Sequence, residues 1–373
     1  TVFIKDFGKY AILSDATQRD IELSPFVYRR GNGVFYHHTE GEEERLDDFR
    51  EKVYGLAIDV GTTTLVVQLI DLQSGKTVAT LACKNPQIPY GNDVISRIEY
   101  TMVHKKETRY TTSAERTQRL QTLQKAVIEV INESMKELEA ERDERICQYV
   151  YDIVIVGNPT MRNIFLGIDV SSLGVIPYEP ERKESVLRKA KQLGLQFNPQ
   201  ANVYAAPLIG GHAGADAIAD IISTEMYKGE KPSMTVDIGT NGEVIIGNRD
   251  RMLTISCAAG GAYEGATIKS GVGAIEGAIT NVNITDGKVE YQTIGNKSPV
   301  GICGSGLIDL LAELLRHGIM SKTAKLSGEF FVTDGINLSQ QDVYQLITAK
   351  AGLRVDQDLL VKYYDTTLEQ LDK

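Results

Sequence analysis

Tyr54-Gly55-Leu56-Ala57-Ile58-Asp59-Val60-Gly61-Thr62-Thr63-Thr64 and Met234-Thr235-Val236-Asp237-Ile238-Gly239-Thr240-Asn241-Gly242 carry one pattern, with Asp59 and Asp237 178 residues apart. In each, an apolar run with the composition of a buried strand ends at Asp-Xaa-Gly-Thr, and the chain turns straight into another strand. After the first copy, Leu65 to Asp71 and Thr77 to Cys83 read as two further strands around a turn at Gln73-Ser74-Gly75-Lys76. After the second, Glu243 to Gly247 and Met252 to Cys257 do the same around Asn248-Arg249-Asp250-Arg251. Three strands joined by short turns form an antiparallel meander. A repeat this long lies outside the roughly 20–50 residues of solenoids, so it describes two similar lobes.

Between the copies, apolar residues at Leu120, Leu123, Val127, Val130, Ile131, Met135 and Leu138 predict a long amphipathic helix from Thr112 to Arg142. Val150 to Val156 predicts a strand, Pro159 to Leu166 a helix opened by its proline, Val203 to Ala206 a strand, and Gly214 to Ser223 a helix. Beyond the second meander, Gly304-Ser305-Gly306 opens a helix with Leu307, Leu310, Leu311, Leu314 and Leu315 on one face. Two more helices are expected at Gln341 to Ala351 and Gln357 to Leu371. The class is α/β: lobe I over residues 53–225 and lobe II over 226–373, facing each other across a cleft. Residues 1–38, with short alternating runs at Val2-Phe3-Ile4 and Val34-Phe35-Tyr36, are expected to form a small β-rich appendage. Residues 39–52 are expected to be an acidic linker, because Glu40 to Glu51 holds seven acids and two arginines in twelve positions.

The 373 residues carry a net charge of −10, without the basic footprint that nucleic acid requires. No run of about 18 apolar residues offers a membrane span, and the first residues lack a signal peptide's pattern; a cytoplasmic protein is expected. Cys83, Cys147, Cys257 and Cys303 are too widely spaced for a zinc knuckle or an iron–sulfur binding run.

The Asp-Xaa-Gly-Thr turn has a phosphate-binding logic. Its glycine lets an oxygen anion approach the backbone N–H groups, and the threonine hydroxyls add donors. The aspartate suits Mg²⁺, which neutralises the phosphates. Two such hairpins, one from each lobe, are expected to clamp one nucleotide.

This arrangement resembles the superfamily of ATPases that includes sugar and acetate kinases, actin and heat-shock chaperones. The resemblance implies a two-lobed actin-like, sugar-kinase-like ATPase fold of duplicated ribonuclease-H-like lobes, binding ATP with Mg²⁺. Its first phosphate motif falls on Asp59, Gly61, Thr62, Thr63 and Thr64, and its second on Asp237, Gly239, Thr240, Asn241 and Gly242. Asp59 and Asp237 are the expected metal ligands and catalytic carboxylates. Pro207 to Asp216 is similar to the family's first connecting helix, which makes Asp216 a candidate for orienting water near the γ-phosphate and His212 a packing or loop residue. Gly260, Gly261 and Gly265, expected before a helix, serve either nucleotide or close packing. Ser305 is expected to cap its helix, and Asp93 and Arg97 to form a surface ion pair.

Further strings narrow the resemblance: Asn85-Pro86-Gln87, Tyr90-Gly91-Asn92-Asp93-Val94-Ile95-Ser96-Arg97, Val156-Gly157-Asn158-Pro159-Thr160-Met161, Gly260 to Ala266 and Gly301 to Asp309. Over roughly residues 53 to 350 the chain resembles the reductive activators of corrinoid proteins, a ferredoxin-linked metal-binding protein family. That implies ATP hydrolysis coupled to electron transfer from an iron–sulfur centre to Co(II), with a corrinoid methyl-transfer protein as partner and a homodimer possible. The chain departs from the family in two respects. It has no cysteine cluster, so the iron–sulfur cluster is expected only in a flanking domain absent from this chain. Lobe II is incomplete, ending before the family's adenosine loop, so that weak ATP binding and an inactive fragment are expected. A small-molecule kinase of the same fold and a corrinoid-binding scaffold without catalysis are the competing readings.

Overall fold

The computed structural model describes residues 11–13, 26–38, 41–104, 109–257, 259–265 and 267–372. The described residues up to Ile218 form one compact unit and those from Ala219 onward another. The expected run at Val2-Phe3-Ile4 lies outside the described residues.

The first unit opens with β1 (Ala11–Leu13), followed by a small antiparallel sheet of β2 (Val27–Arg30), β3 (Gly33–His37) and β4 (Glu43–Asp48). β4 lies inside the stretch expected to be a linker. Its charges face outward, where Arg30 pairs with Glu43 at 2.8 Å, while Leu46 enters a core with Val27, Val34, Tyr36, Val53 and Tyr151. One buried leucine and a hydrogen-bonded edge on β3 are enough to hold a strand that composition alone describes as solvated.

The main sheet begins with β5 (Tyr54–Val60), β6 (Thr64–Asp71) and β7 (Thr77–Lys84), the antiparallel meander read from the sequence. After α1 (Val94–Met102) come the short pair β8 (Val103–His104) and β9 (Arg109–Tyr110), then α2 (Ser113–Arg142). Thr112 caps α2 in a box with Glu115, which sets where the helix begins. β10 (Val150–Val156), α3 (Pro159–Leu166), β11 (Val186–Lys189) and β12 (Asn202–Ala205) follow. The strand order is β1-β7-β6-β5-β10-β12-β11, with β10 parallel to both β5 and β12. The apolar stripe of α2, from Val127 through Leu138, buries against Leu56, Ile58, Ile153 and Ile155 of this sheet. Each such side chain contributes about 1.5–3 kcal/mol on burial.

α4 (Ala215–Ser223) carries the chain into the second unit. There β13 (Ser233–Ile238), β14 (Gly242–Gly247) and β15 (Met252–Cys257) repeat the meander. A separate sheet of β16 (Ala278–Thr285), β17 (Lys288–Thr293) and β18 (Gly301–Ile302) packs against α5 (Gly304–Arg316). The hairpin β19 (Phe330–Thr333) and β20 (Ile336–Leu338) leads into α6 (Gln340–Tyr364). α6 is one helix where two were expected, because Gly352 continues it; the neighbouring Leu353 seats against the β13–β15 sheet. Among the described residues, β13 pairs only with β14, so this sheet lacks a parallel neighbour like β10, which flanks β5 in the first unit. No described helix is long and apolar enough to cross a membrane.

Candidate functional site

The first hairpin joins β5 to β6 through Gly61, Thr62 and Thr63, with Asp59 opposite Val66 and Val60 opposite Leu65. A Cβ on Gly61 would lie 2.3 Å from the Thr64 carbonyl oxygen, so only glycine allows a turn this tight. Asp59 is exposed at the end of β5, whereas Thr62 is buried.

All three carbonyls of the turn are tied down. Asn85 Nδ2 donates to Gly61 O at 2.8 Å, Asn85 N donates to Thr63 O at 2.7 Å, and Arg97 Nη2 donates to Thr62 O. A trans peptide points its N–H opposite to its C=O, so the N–H groups of Thr62, Thr63 and Thr64 are directed away from these partners. That is the orientation an anion requires.

Neighbouring elements converge on the same end of the sheet. Asn158 caps α3 by accepting from Met161 N at 3.0 Å, and its Nδ2 donates to the Thr62 hydroxyl at 2.9 Å. Gly157, with φ at +146°, leaves room for the Val60 carbonyl, which a Cβ would approach to 2.8 Å. Ala215 N donates to Gly157 O at 3.0 Å, which anchors the start of α4 here. Asp216 therefore stands in the first turn of α4, one residue from that anchor, its Oδ1 accepting from Ala217 N at 2.8 Å. Asp59, the turn, Asn158 and Asp216 thus all follow the carboxyl ends of parallel strands, where open α/β sheets bind ligands. His212 is exposed, its ring 5.3 Å from that of Tyr178, as a loop residue would be.

The second hairpin joins β13 to β14 through Gly239, Thr240 and Asn241, with Asp237 opposite Glu243 and Ile238 opposite Gly242. Gly239 N donates to Asn241 O at 3.1 Å, and Gly260 N to Thr240 O at 2.9 Å. The Thr240 hydroxyl donates to Glu264. Burial raises the pKa of Asp237, against the opposing pull of the Ile238 N–H; a cation beside this carboxylate would relieve that cost. Glu243 is buried across the ladder from Asp237 and accepts from Ser256 Oγ at 3.0 Å. Gly242 has a packing role as well: a Cβ there would lie 2.2 Å from Leu353 Cδ2.

Several expectations change. Gly260, Gly261 and Gly265 precede turns and then β16 rather than a helix, and the Gly260 N–H already serves Thr240. α5 is capped by the backbone position of Cys303, and Ser305 lies in its first turn with Oγ 3.4 Å from Cys303 Sγ. Asp93 and Arg97 are not a surface pair. Asp93 is the N-cap of α1, boxed with Ser96, and Arg97 is fully buried. Sequence reasoning assigns no role to Asn85 or Asn158 and only a surface ion pair to Arg97; polar residues bracketed by glycine and proline are the available signal.

Each hairpin taken by itself pairs a carboxylate, Asp59 or Asp237, with a glycine-containing turn, the kind of oxygen ligand and backbone donor that Mg²⁺ and phosphate take. The cysteines sit on separate elements: Cys83 on β7, Cys147 before β10, Cys257 on β15 and Cys303 at the start of α5. Burial pushes the thiols of Cys83, Cys147 and Cys257 up to about 12, away from the thiolate that iron needs. No group of three His, Cys, Asp or Glu among the described residues is arranged to hold a metal ion.

Comparison with known proteins places this geometry in a family. Residues 54–229 match the RACo middle region, and residues 231–373 match the C-terminal domain of RACo, the ASKHA domain. The corrinoid activation enzyme RamQ of Eubacterium limosum is 31% identical over 90% of this chain and 56% of its own length. The [Co(II) methylated amine-specific corrinoid protein] reductase of Methanosarcina barkeri is 26% identical over 86% of this chain and 62% of its own. A solved reductive activator for corrinoid, iron-sulfur protein superposes with a TM-score of 0.80 and 35% identity, over 91% of this chain and 56% of that one. The chain thus spans little more than half the length of the relatives it matches. With the two regions in tandem along residues 54–373, the chain belongs to the RACo family of corrinoid reductive activators, as its middle region followed by its ASKHA domain.

Proposed function

We propose that the chain is the ATP-handling part of a corrinoid reductive activator, in which ATP hydrolysis drives an electron from an iron–sulfur centre outside these residues onto Co(II), giving Co(I). The observation that carries this reading is the first hairpin, whose three carbonyls are bonded to Asn85 and Arg97, so that trans peptide geometry directs its N–H groups away from those partners. A second Asp-Xaa-Gly-Thr turn stands at the same place in the other meander. Bound Mg-ATP supplies the phosphoryl bond whose cleavage provides the driving force. At the first hairpin Asp59 would hold the metal, the N–H groups of Thr62, Thr63 and Thr64 and the hydroxyls of Thr62 and Thr63 would hold phosphate oxygens, and Asp216 would orient the attacking water; at the second, Asp237 would be the matching metal ligand. The partner is a methyl-transfer corrinoid protein, and the setting is the cytoplasm.

A small-molecule kinase of the same fold would use the same hairpins, so hydrolysis assays must separate the two. The full-length protein is incubated with Mg-ATP alone, with acetate or glycerol, and with a Co(II) corrinoid protein plus an iron–sulfur reductant. Phosphate release raised by the corrinoid protein and unaffected by acetate or glycerol is expected. Transfer of the γ-phosphoryl group to acetate or glycerol would replace this reading with the kinase.

A further inference from the structure

Arg97 lies on α1, with no side-chain exposure, behind the first hairpin. Its Nε donates to Gly91 O at 3.0 Å, Nη1 to Gln87 Oε1 at 3.1 Å and to Met161 Sδ at 3.0 Å, and Nη2 to Thr62 O. All four acceptors are neutral. The carboxylate of Asp93 also acts on the guanidinium, but from the N-cap, where it accepts from Ser96 N at 2.7 Å and Ser96 Oγ at 2.9 Å.

A buried guanidinium is an expensive way to satisfy two carbonyls and an amide. A neutral donor would satisfy them at lower desolvation cost, and burial here lowers the Arg97 pKa to about 10. What the neutral donor lacks is charge. The hairpin in front of Arg97 turns its N–H groups toward the side where, on the function proposed above, the phosphates sit. A polyanion there is stabilised by the buried charge and in turn stabilises it.

We propose that Arg97 is a positioning residue for the first phosphate hairpin: it fixes the Thr62 carbonyl inward and sets a positive charge behind the turn, so that phosphate affinity depends on that charge. The inference rests on the ATP reading. A purely structural role would lower affinity for every ligand alike, whereas the charge effect scales with the number of phosphates.

The test is calorimetric titration of the full-length protein with Mg-ATP, Mg-ADP and adenosine, using Arg97→Gln, Arg97→Lys and Gln87→Glu. Arg97→Gln is expected to weaken Mg-ATP about tenfold and Mg-ADP less, with adenosine unchanged. Arg97→Lys keeps the charge and should recover at least about a third of the loss, measured on a logarithmic scale. Gln87→Glu leaves the guanidinium in place but sets a carboxylate beside Nη1, and should show the same graded loss as Arg97→Gln. It decides the matter if Arg97→Gln fails to fold. Wild-type Mg-ATP affinity in Gln87→Glu, an Arg97→Lys no better than Arg97→Gln, or equal losses for adenosine and ATP would each overturn the inference. A wild-type protein that does not bind Mg-ATP would instead remove the function on which it rests.

Discussion

Replacing Gly61 by alanine probes the first hairpin with the least chemistry. The added Cβ would stand 2.3 Å from the Thr64 carbonyl oxygen, against an ordinary separation of about 3.5 Å between such atoms. The clashing atom is backbone at the start of β6, where Thr64 is paired with Lys84, so no flexible side chain absorbs the strain. The turn must open, and overpacking of this kind costs about 1–3 kcal/mol. Opening also disturbs the bonds from Asn85 and Arg97 that aim the N–H groups, so Mg-ATP affinity should fall about tenfold or more. Urea unfolding gives the stability loss and calorimetry the affinity. Gly75→Ala is the control. Its φ of +74° lies in the turn at the far end of β6, so alanine costs about 1 kcal/mol there and leaves nucleotide binding alone. Wild-type stability and affinity in Gly61→Ala would refute the reasoning.

Asp59→Asn and Asp237→Asn should each lower ATP turnover roughly 10²-fold in the full-length protein, and a wild-type rate in either would remove that carboxylate from the metal site. Asp152, buried on β10 with Oδ1 unpartnered, has its pKa raised to about 6 by burial. The folded state therefore favours the protonated form, and stability falls as pH rises from about 4 through about 6, by about 2–3 kcal/mol in all. Asp152→Asn should be more stable than wild type at about pH 8 and lose most of that advantage at about pH 4, as read by urea unfolding; a less stable variant at the higher pH would contradict the assignment. Leu353→Ala removes the side chain seated against Gly242, and should cost about 2–4 kcal/mol; a loss under about 0.5 kcal/mol would show that α6 does not hold the second meander.

The elements that sequence reveals are those with strong local signals. Both meanders were legible because each Asp-Xaa-Gly-Thr turn is flanked by apolar strands, and α2 because its stripe runs from Leu120 to Leu138. Burial imposed by distant partners was not legible. Asp93 and Arg97, four apart, have the spacing of an exposed ion pair, yet Arg97 is drawn inward by carbonyls at Thr62 and Gly91. β4 hides behind its charge because one leucine supplies its only core contact. Gly352 reads as a helix stop, yet the helix runs through it because Leu353 fills the space that Gly242 leaves open. At the site, the residues on the turns were legible, whereas Asn85, Arg97, Asn158 and Glu264, which hold the turns, act only through tertiary contacts.

Cobalt reduction is the most direct measurement. A panel of methyl-transfer corrinoid proteins in the Co(II) state is mixed, without oxygen, with the full-length protein and a low-potential iron–sulfur electron donor, and visible absorption follows the conversion to Co(I). ATP-driven activation predicts that Co(I) accumulates with Mg-ATP, in step with phosphate release, and fails both with a non-hydrolysable analogue and in Asp59→Asn. Equal accumulation of Co(I) with and without Mg-ATP would contradict it.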